Sequence, residues 1–166
     1  MHVRLCTYED LKDEQCVQLR NLEVLPEQIP FSGDIACALY SLPAKPHPGI
    51  KGLVLLKNEQ PVAFMLIKRY PLLSHWADTD CATLHALQVD KRVQGQGLGK
   101  ICLRLLVHTL NQDWPEIRTV MLSVSPNNRS ALAFYLSQGW YKSGEAYRGE
   151  LRLAFRLTSW QAKPAA

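Results

Sequence analysis

Residues 83–110 read TLHALQVDKRVQGQGLGKICLRLLVHTL. The stretch opens on an apolar-rich run, T-L-H-A-L-Q-V, that suits a strand. A basic turn, Asp90-Lys91-Arg92, follows, then the glycine-spaced Gln94-Gly95-Gln96-Gly97-Leu98-Gly99. Beyond it Leu98, Ile101, Cys102, Leu105, Leu106 and Leu110 recur at helical spacing. The pattern predicts strand, loop and helix, with the loop feeding the helix N-terminus. The first backbone N–H groups of a helix lack intrahelical partners, and the helix dipole favours negative charge there. Glycines at alternate positions leave no Cβ to hold a ligand away. A phosphate-bearing ligand therefore fits this place. Lys100, Arg104 and His108 share the opposite helix face and read as a solvated stripe.

Outward from that stretch, 166 residues with 47% hydrophobic and 20% charged content describe one ordinary globular domain. No run approaches the roughly 18 apolar residues of a membrane span. The N-terminus MHVRLCTYEDLKDE lacks an apolar signal core, so a cytoplasmic protein without membrane association is expected. The net charge of +4 comes without a basic block or interleaved aromatics. A nucleic-acid partner is not expected, whereas a small polyanionic cofactor fits the charge. Cys6, Cys16, Cys37, Cys81 and Cys102 are odd in number and contain no C-x-x-C pair. They read as small buried residues in a reducing compartment, with neither disulfides nor a metal site.

In chain order, residues 2–8 alternate as a first strand, and 9–20 form a helix with Leu11, Cys16, Val17 and Leu19 as its apolar stripe. Pro26 and Pro30 break the next segment, and Ser32 is expected to cap a short helix over 33–40. Residues 41–49 form a proline-rich loop. Strands over 50–56 and 62–70 make a hairpin, the second covered on both faces. A loop over 71–82 leads into the opening stretch. Residues 117–124 are a strand, and Asn128 caps a helix over 130–138 closed by Gly139. Residues 140–144 and 151–157 pair as a final hairpin. The order β-α-α-β-β-β-α-β-α-β-β predicts an α/β (α+β) fold. Its centre is a mixed, mostly antiparallel twisted sheet of about seven strands, with helices on both faces.

Two nucleotide motifs fail on the glycine segment. A P-loop needs glycine where Gln94 stands and Ser or Thr where Ile101 stands. A dinucleotide fingerprint needs a third glycine where Lys100 or Cys102 stands. A third pattern, Q/R-x-x-G-x-G/A, is met by Gln94, Gly97 and Gly99. Downstream, N-x-x-A-x-x-F-Y-x-x-x-G-[FW] is met by Asn128, Ala131, Phe134, Tyr135, Gly139 and Trp140. With both motifs in order, the sequence resembles the GCN5-related N-acetyltransferase family over roughly residues 50–157.

The resemblance implies a single N-acetyltransferase domain over residues 1–160 and a frayed tail over 161–166. It implies acetyl-CoA as cofactor, its pyrophosphate on the backbone of Gln94, Gly95, Gln96, Gly97, Leu98, Gly99 and Lys100. The pantetheine arm would pair with the strand end Leu87-Gln88-Val89, and Asn128 would touch the cofactor. Tyr135 matches the tyrosine proposed to protonate the departing thiolate. LHALQV is also similar to the corresponding strand of arylalkylamine N-acetyltransferases, which carry two histidines. The second aligns with His85, while Thr83 stands in place of the first.

His85 reads either as the base that deprotonates the acceptor amine or as a hydrogen-bonded structural histidine. If strand alternation holds, it shares a face with Thr83, Leu87 and Val89. The acceptor is expected to be a small-molecule amine. A protein amino group, or a non-catalytic acyl-CoA-binding domain, are the other readings, and the assembly state leaves room for a homodimer. Specificity is expected in the N-terminal helices, the 41–49 and 71–82 loops and the final hairpin.

Overall fold

The alternating and helical apolar patterns resolve, in a computed structural model that describes residues 2–157, into these elements. They are β1 (Val3–Thr7), α1 (Asp13–Arg20), α2 (Ile29–Ser32), α3 (Ile35–Tyr40), β2 (Ile50–Lys57), β3 (Gln60–Lys68) and β4 (Ala82–Val89). After them come α4 (Leu98–Asp113), β5 (Thr119–Val124), α5 (Arg129–Ser137), β6 (Tyr141–Glu145) and β7 (Leu151–Arg156). The expected tail, 161–166, and the end of the expected domain, 158–160, lie outside the described residues. The order is the one the sequence implied, with α2 as an added single turn. The strands form one mixed sheet in the order β1-β2-β3-β4-β5-β7-β6. β1–β2, β5–β7 and β6–β7 are antiparallel, and β4–β5 is parallel.

The chain divides into two compact units. One takes the residues up to Ile67 together with His85–Leu106; the other takes Lys68–Leu84 and the chain from Val107 onward.

In the first unit, β2 and β3 bury every position from Leu53 to Leu56 and from Val62 to Ile67. This is the two-sided cover expected of β3. Their turn is tight because Asn58 and Glu59 both take positive φ (49° and 66°), the twist a two-residue hairpin needs. The tip is held from three sides. Arg4 donates to both Glu59 carboxylate oxygens (2.8 and 2.7 Å), Gln15 Nε2 donates to Glu59 O (2.9 Å), and Asn58 N donates to His2 O (2.8 Å). The core joins Leu19, Leu22, Val24 and Ile35 to Val54, Leu56, Phe64 and Leu66. Phe64 is fully buried. Phe64→Ala is expected to cost about 3–5 kcal/mol in a urea melt, through lost burial and the cavity left behind.

Three local expectations for this unit need correction. Val17 is 54% exposed, while Gln15 is 5% exposed and takes the inward place. A polar side chain can do so because its Oε1 accepts from Lys12 N (3.0 Å) and its Nε2 reaches Glu59 O. Asp34, not Ser32, caps α3: its carboxylate accepts from Cys37 N at 2.8 Å, which holds that carboxyl below its ordinary range. The Ser32 hydroxyl is instead turned to Gln28 O and Gly33 O. Pro26 and Pro30 open short helical turns where a break was expected, since proline is tolerated in a first turn whose N–H groups are orphans.

In the second unit β7 lies between β5 and β6, pairing from Thr119↔Arg156 to Val124↔Leu151. Arg152 ties the 71–82 loop to the hairpin: it donates to Ser143 O (2.8 Å) and Trp76 O (3.0 Å) and faces Asp78 at 3.6 Å. Arg69 pairs with Glu116 and stacks on Trp114 at 4.9 Å.

All five cysteines are free, as expected, but they are not all buried: Cys37 is exposed and Cys16 half-buried. Burial pushes the Cys81 and Cys102 thiols up to about 12. A thiol reagent on native protein is therefore expected to label Cys37 first and leave Cys6, Cys81 and Cys102 unmodified, as read by peptide mass spectrometry.

Candidate active site

β4 leaves its regular course at one residue. Ala86 has φ 52°, a left-handed conformation in mid-strand that residues with a Cβ seldom adopt. The positive φ interrupts the regular extended backbone between His85 and Leu87. Thr83 and Leu84 are buried, His85, Ala86 and Leu87 half-buried, and Gln88 buried again. Strained backbone of this kind concentrates at functional sites.

Downstream, the basic turn is neutralised within the first unit. Asp90, itself buried, accepts from Arg92 N and Arg92 Nη1, both at 2.9 Å. Glu23 pairs with Lys91 at 2.6 Å and faces Arg92 at 3.6 Å, and its carboxyl is held below its ordinary range by Lys91. These two cations are thus committed to carboxylates.

The glycine loop leaves its backbone open. Gly95 and Gly97 take φ 81° and 78°, and where a Cβ would stand on either there is open space. Residues 95–97 are exposed. Leu98 begins α4, its side chain buried so that it offers only its backbone. Lys100 is exposed and Gly99 half-buried. The side chain of Gln94 is fully used: its Nε2 donates to Val89 O (2.8 Å) and to Gln28 Oε1 (3.0 Å). Any contact it makes with a phosphate must come from its backbone. Gln88 Nε2 is likewise spent, on Ser32 O, Gly33 O and Asp34 O (3.1–3.2 Å). Leu87 and Val89 are half-buried.

Sequence reading missed Gln28, the anchoring role of Gln88, and Lys57, whose Nζ lies 2.9 Å from Gln96 Oε1 and brings a cation to the loop. Gln28 and Lys57 sit far from the motif in sequence; Gln88 and the Ala86 kink lie inside the quoted stretch, but Gln88's partners are more than 50 residues away and the kink has no local signal.

Asn128 and Tyr135 belong to the second unit. Asn128 is the N-cap of α5, its Oδ1 accepting from Ala131 N at 3.4 Å, as its position before the helix implied. Tyr135 is half-buried, with its ring edge-on to Phe134 (5.3 Å) and Trp140 (5.5 Å). Trp140 is buried and leans on Phe155 (5.7 Å). Trp140 N donates back to Tyr135 O at 3.1 Å. The F-Y-x-x-x-G-W run therefore folds into an aromatic cluster that fixes the tyrosine ring. Among the described residues no cluster of metal-ligating side chains occurs, and no helix is long and apolar enough to cross a membrane.

The sequence matches the acetyltransferase (GNAT) family over residues 7–140. The chain belongs to that family. The match begins in β1 and ends at Trp140, so it takes in both the glycine loop and the aromatic cluster. No curated protein matches this GNAT acetyltransferase. Among solved structures, it is similar to aminoglycoside acetyltransferase AAC(6')-Ib in complex with coenzyme A (16% identity, 99% of this chain and 100% of that one, TM-score 0.72). It is also similar to an acetyltransferase from Thermus thermophilus (20%, 94% and 97%, 0.66). A third is the ribosomal-protein-S18-alanine N-acetyltransferase from Escherichia coli (19%, 94% and 94%, 0.63). At these identities the likeness concerns the GNAT fold: a seven-stranded mixed sheet with helices.

Proposed function

We propose that residues 1–160 act as one acetyl-CoA-dependent N-acetyltransferase domain that acetylates a primary amine of a small molecule. The observation that carries this reading is the cradle at the α4 N-terminus. There Gly95 and Gly97 hold positive φ with nothing where a Cβ would be, ahead of a sixteen-residue helix. Backbone N–H groups at such a place suit a pyrophosphate, so the residues present fit coenzyme A. Acetyl-CoA supplies a thioester whose acyl carbon an amine can attack directly. AAC(6')-Ib, whose structures carry coenzyme A or acetyl-CoA together with aminoglycosides, supports a small-molecule acceptor. The Escherichia coli enzyme, which is named for a protein alanine, supports a protein amino group as the second reading.

In this proposal the loop from Gln94 to Lys100 binds the pyrophosphate through its backbone, Leu87 to Val89 track the pantetheine amides, and Asn128 contacts the cofactor. The backbone N–H of Leu87 polarises the acyl oxygen. As the new C–N bond forms and the C–S bond breaks, the Tyr135 hydroxyl would give its proton to the departing sulfur, and the surplus proton of the new amide nitrogen would pass back to the tyrosinate through solvent. The acceptor amine, protonated at neutral pH, must first lose a proton; His85 is the base, directly or through water. The free cysteines fit a reducing, cytoplasmic setting.

The deciding experiment is thiol release from acetyl-CoA with a panel of polyamines, arylalkylamines, aminoglycosides, amino acids and peptide N-termini. Turnover on a small amine is the expected result. Turnover on peptides alone would move the acceptor to protein. Tight acetyl-CoA binding with no turnover on any of them would leave a non-catalytic acyl-CoA-binding domain.

A further inference from the structure

Two glutamines on the strand–loop stretch reach back to one segment of the chain, Leu25–Asp34. At one end, Gln94 and Gln28 face each other amide to amide. Gln94 Nε2 donates to Gln28 Oε1 (3.0 Å), and Gln28 Nε2 lies 3.4 Å from Gln94 Oε1. Gln28 is itself fixed, because its Oε1 also accepts from Leu25 N (3.0 Å) and its backbone N donates to Leu25 O (2.9 Å). The second Nε2 hydrogen of Gln94 goes to Val89 O at 2.8 Å. At the other end, Gln88, 1% exposed, gathers the carbonyls of Ser32, Gly33 and Asp34.

We infer that Gln28 is a positioning residue for the cofactor loop: its amide holds the Gln94 side chain out of the phosphate path and locks the entry of the loop onto Leu25–Asp34. The inference rests on the acetyl-CoA reading above. The physical reason is local. A loop whose glycines carry positive φ has little conformational preference of its own, so its order must come from anchors. Gln94 is the last residue before those glycines, and both of its amide hydrogens are bound. Removing Gln28 frees one of them, and the side chain then competes with the ligand for the loop's outer face. It also removes one of the two ties between the strand–loop stretch and Leu25–Asp34, leaving only that of Gln88, so that ordering one orders the other less.

The test uses the full chain and CoA as the probe. Gln28→Met keeps the shape and removes the hydrogen bonds. It is expected to raise the Kd for CoA about tenfold in calorimetric titration, the scale of one to two lost hydrogen bonds. In hydrogen exchange of the free protein it is expected to speed the Gln94–Gly99 amides, while CoA protection of residues 25–28, expected in the wild type, is reduced. Gln28→Glu keeps the acceptor that Leu25 N and Gln94 Nε2 use, and is expected to restore wild-type exchange in the free protein. Gln28→Asn, one methylene short of Gln94, is expected to shift the loop's exchange in the same direction as Gln28→Met.

A double-mutant cycle with Gln94→Met decides whether the two act as a pair: in that background Gln28→Met should change CoA affinity far less than it does in the wild type. Wild-type CoA affinity and loop exchange in Gln28→Met, or additive effects in the cycle, would overturn the assignment. If the wild type does not bind CoA at all, the acetyl-CoA reading fails instead, and exchange in the free protein still decides whether Gln28 orders the loop.

Discussion

Tyr135→Phe is expected to lower kcat by about 10²–10⁴-fold, the range that a positioned general acid contributes. The change removes a single oxygen from a ring held between Phe134 and Trp140, so the aromatic cluster and the fold should persist. The loss should therefore fall on kcat, with the KM for acetyl-CoA close to the wild-type value. A pH–rate profile sharpens the test. A tyrosine acting as acid must be protonated, so the wild-type rate should fall at alkaline pH, and the variant should lose that limb. Unchanged turnover across pH would remove Tyr135 from the chemistry. The companion measurement is His85→Gln. A base must be deprotonated to act, so loss of the acidic limb of kcat/KM supports that role, and an unchanged profile makes His85 structural.

Gly97→Val is expected to weaken acetyl-CoA binding about a hundredfold. Two effects add. A β-branched residue at φ 78° is strained, by roughly 1–2 kcal/mol for a left-handed residue. The new side chain also fills open space beside the backbone; in the proposed site each charge-assisted hydrogen bond lost to the phosphate would cost about 1.5–3 kcal/mol. Because a Cβ there meets nothing within 4 Å beyond its chain neighbours, the cost in the free protein comes mainly from the backbone strain. Thermal stability should thus drop only modestly while the KM for acetyl-CoA rises steeply. A large loss of stability with unchanged KM would mean that the glycine serves only the turn.

The strand–loop–helix stretch was legible because its signals are local. Periodicity marks β4 and α4, alternate glycines mark the loop, and the residues of the N-x-x-A-x-x-F-Y-x-x-x-G-W run lie within reach of one another. Asn128 as a cap and Gly139 as the close of α5 could be read from position alone, and Gly139 indeed has φ 92°. The misreadings share a cause. Val17 looked buried and Gln15 did not, since the partner that satisfies Gln15 is Glu59 O, on a distant hairpin. Ser32 and Asp34 are both good caps, and the choice fell to Asp34 once the Ser32 hydroxyl turned to Gln28 O. The kink at Ala86 has no sequence mark, because alanine does not favour positive φ. Its conformation is imposed from outside the residue.

By itself, then, the sequence determined the order of elements, the glycine loop ahead of α4 and the family motifs, since each depends on side chains a few positions apart. Tertiary structure alone decided that β7 lies between β5 and β6, that Ala86 takes a positive φ within β4, and that Gln94 is held by a glutamine 66 residues away. Backbone propensity acts over one or two turns of chain. A hydrogen bond between distant amides is set only when packing brings both ends together, and no local pattern encodes it.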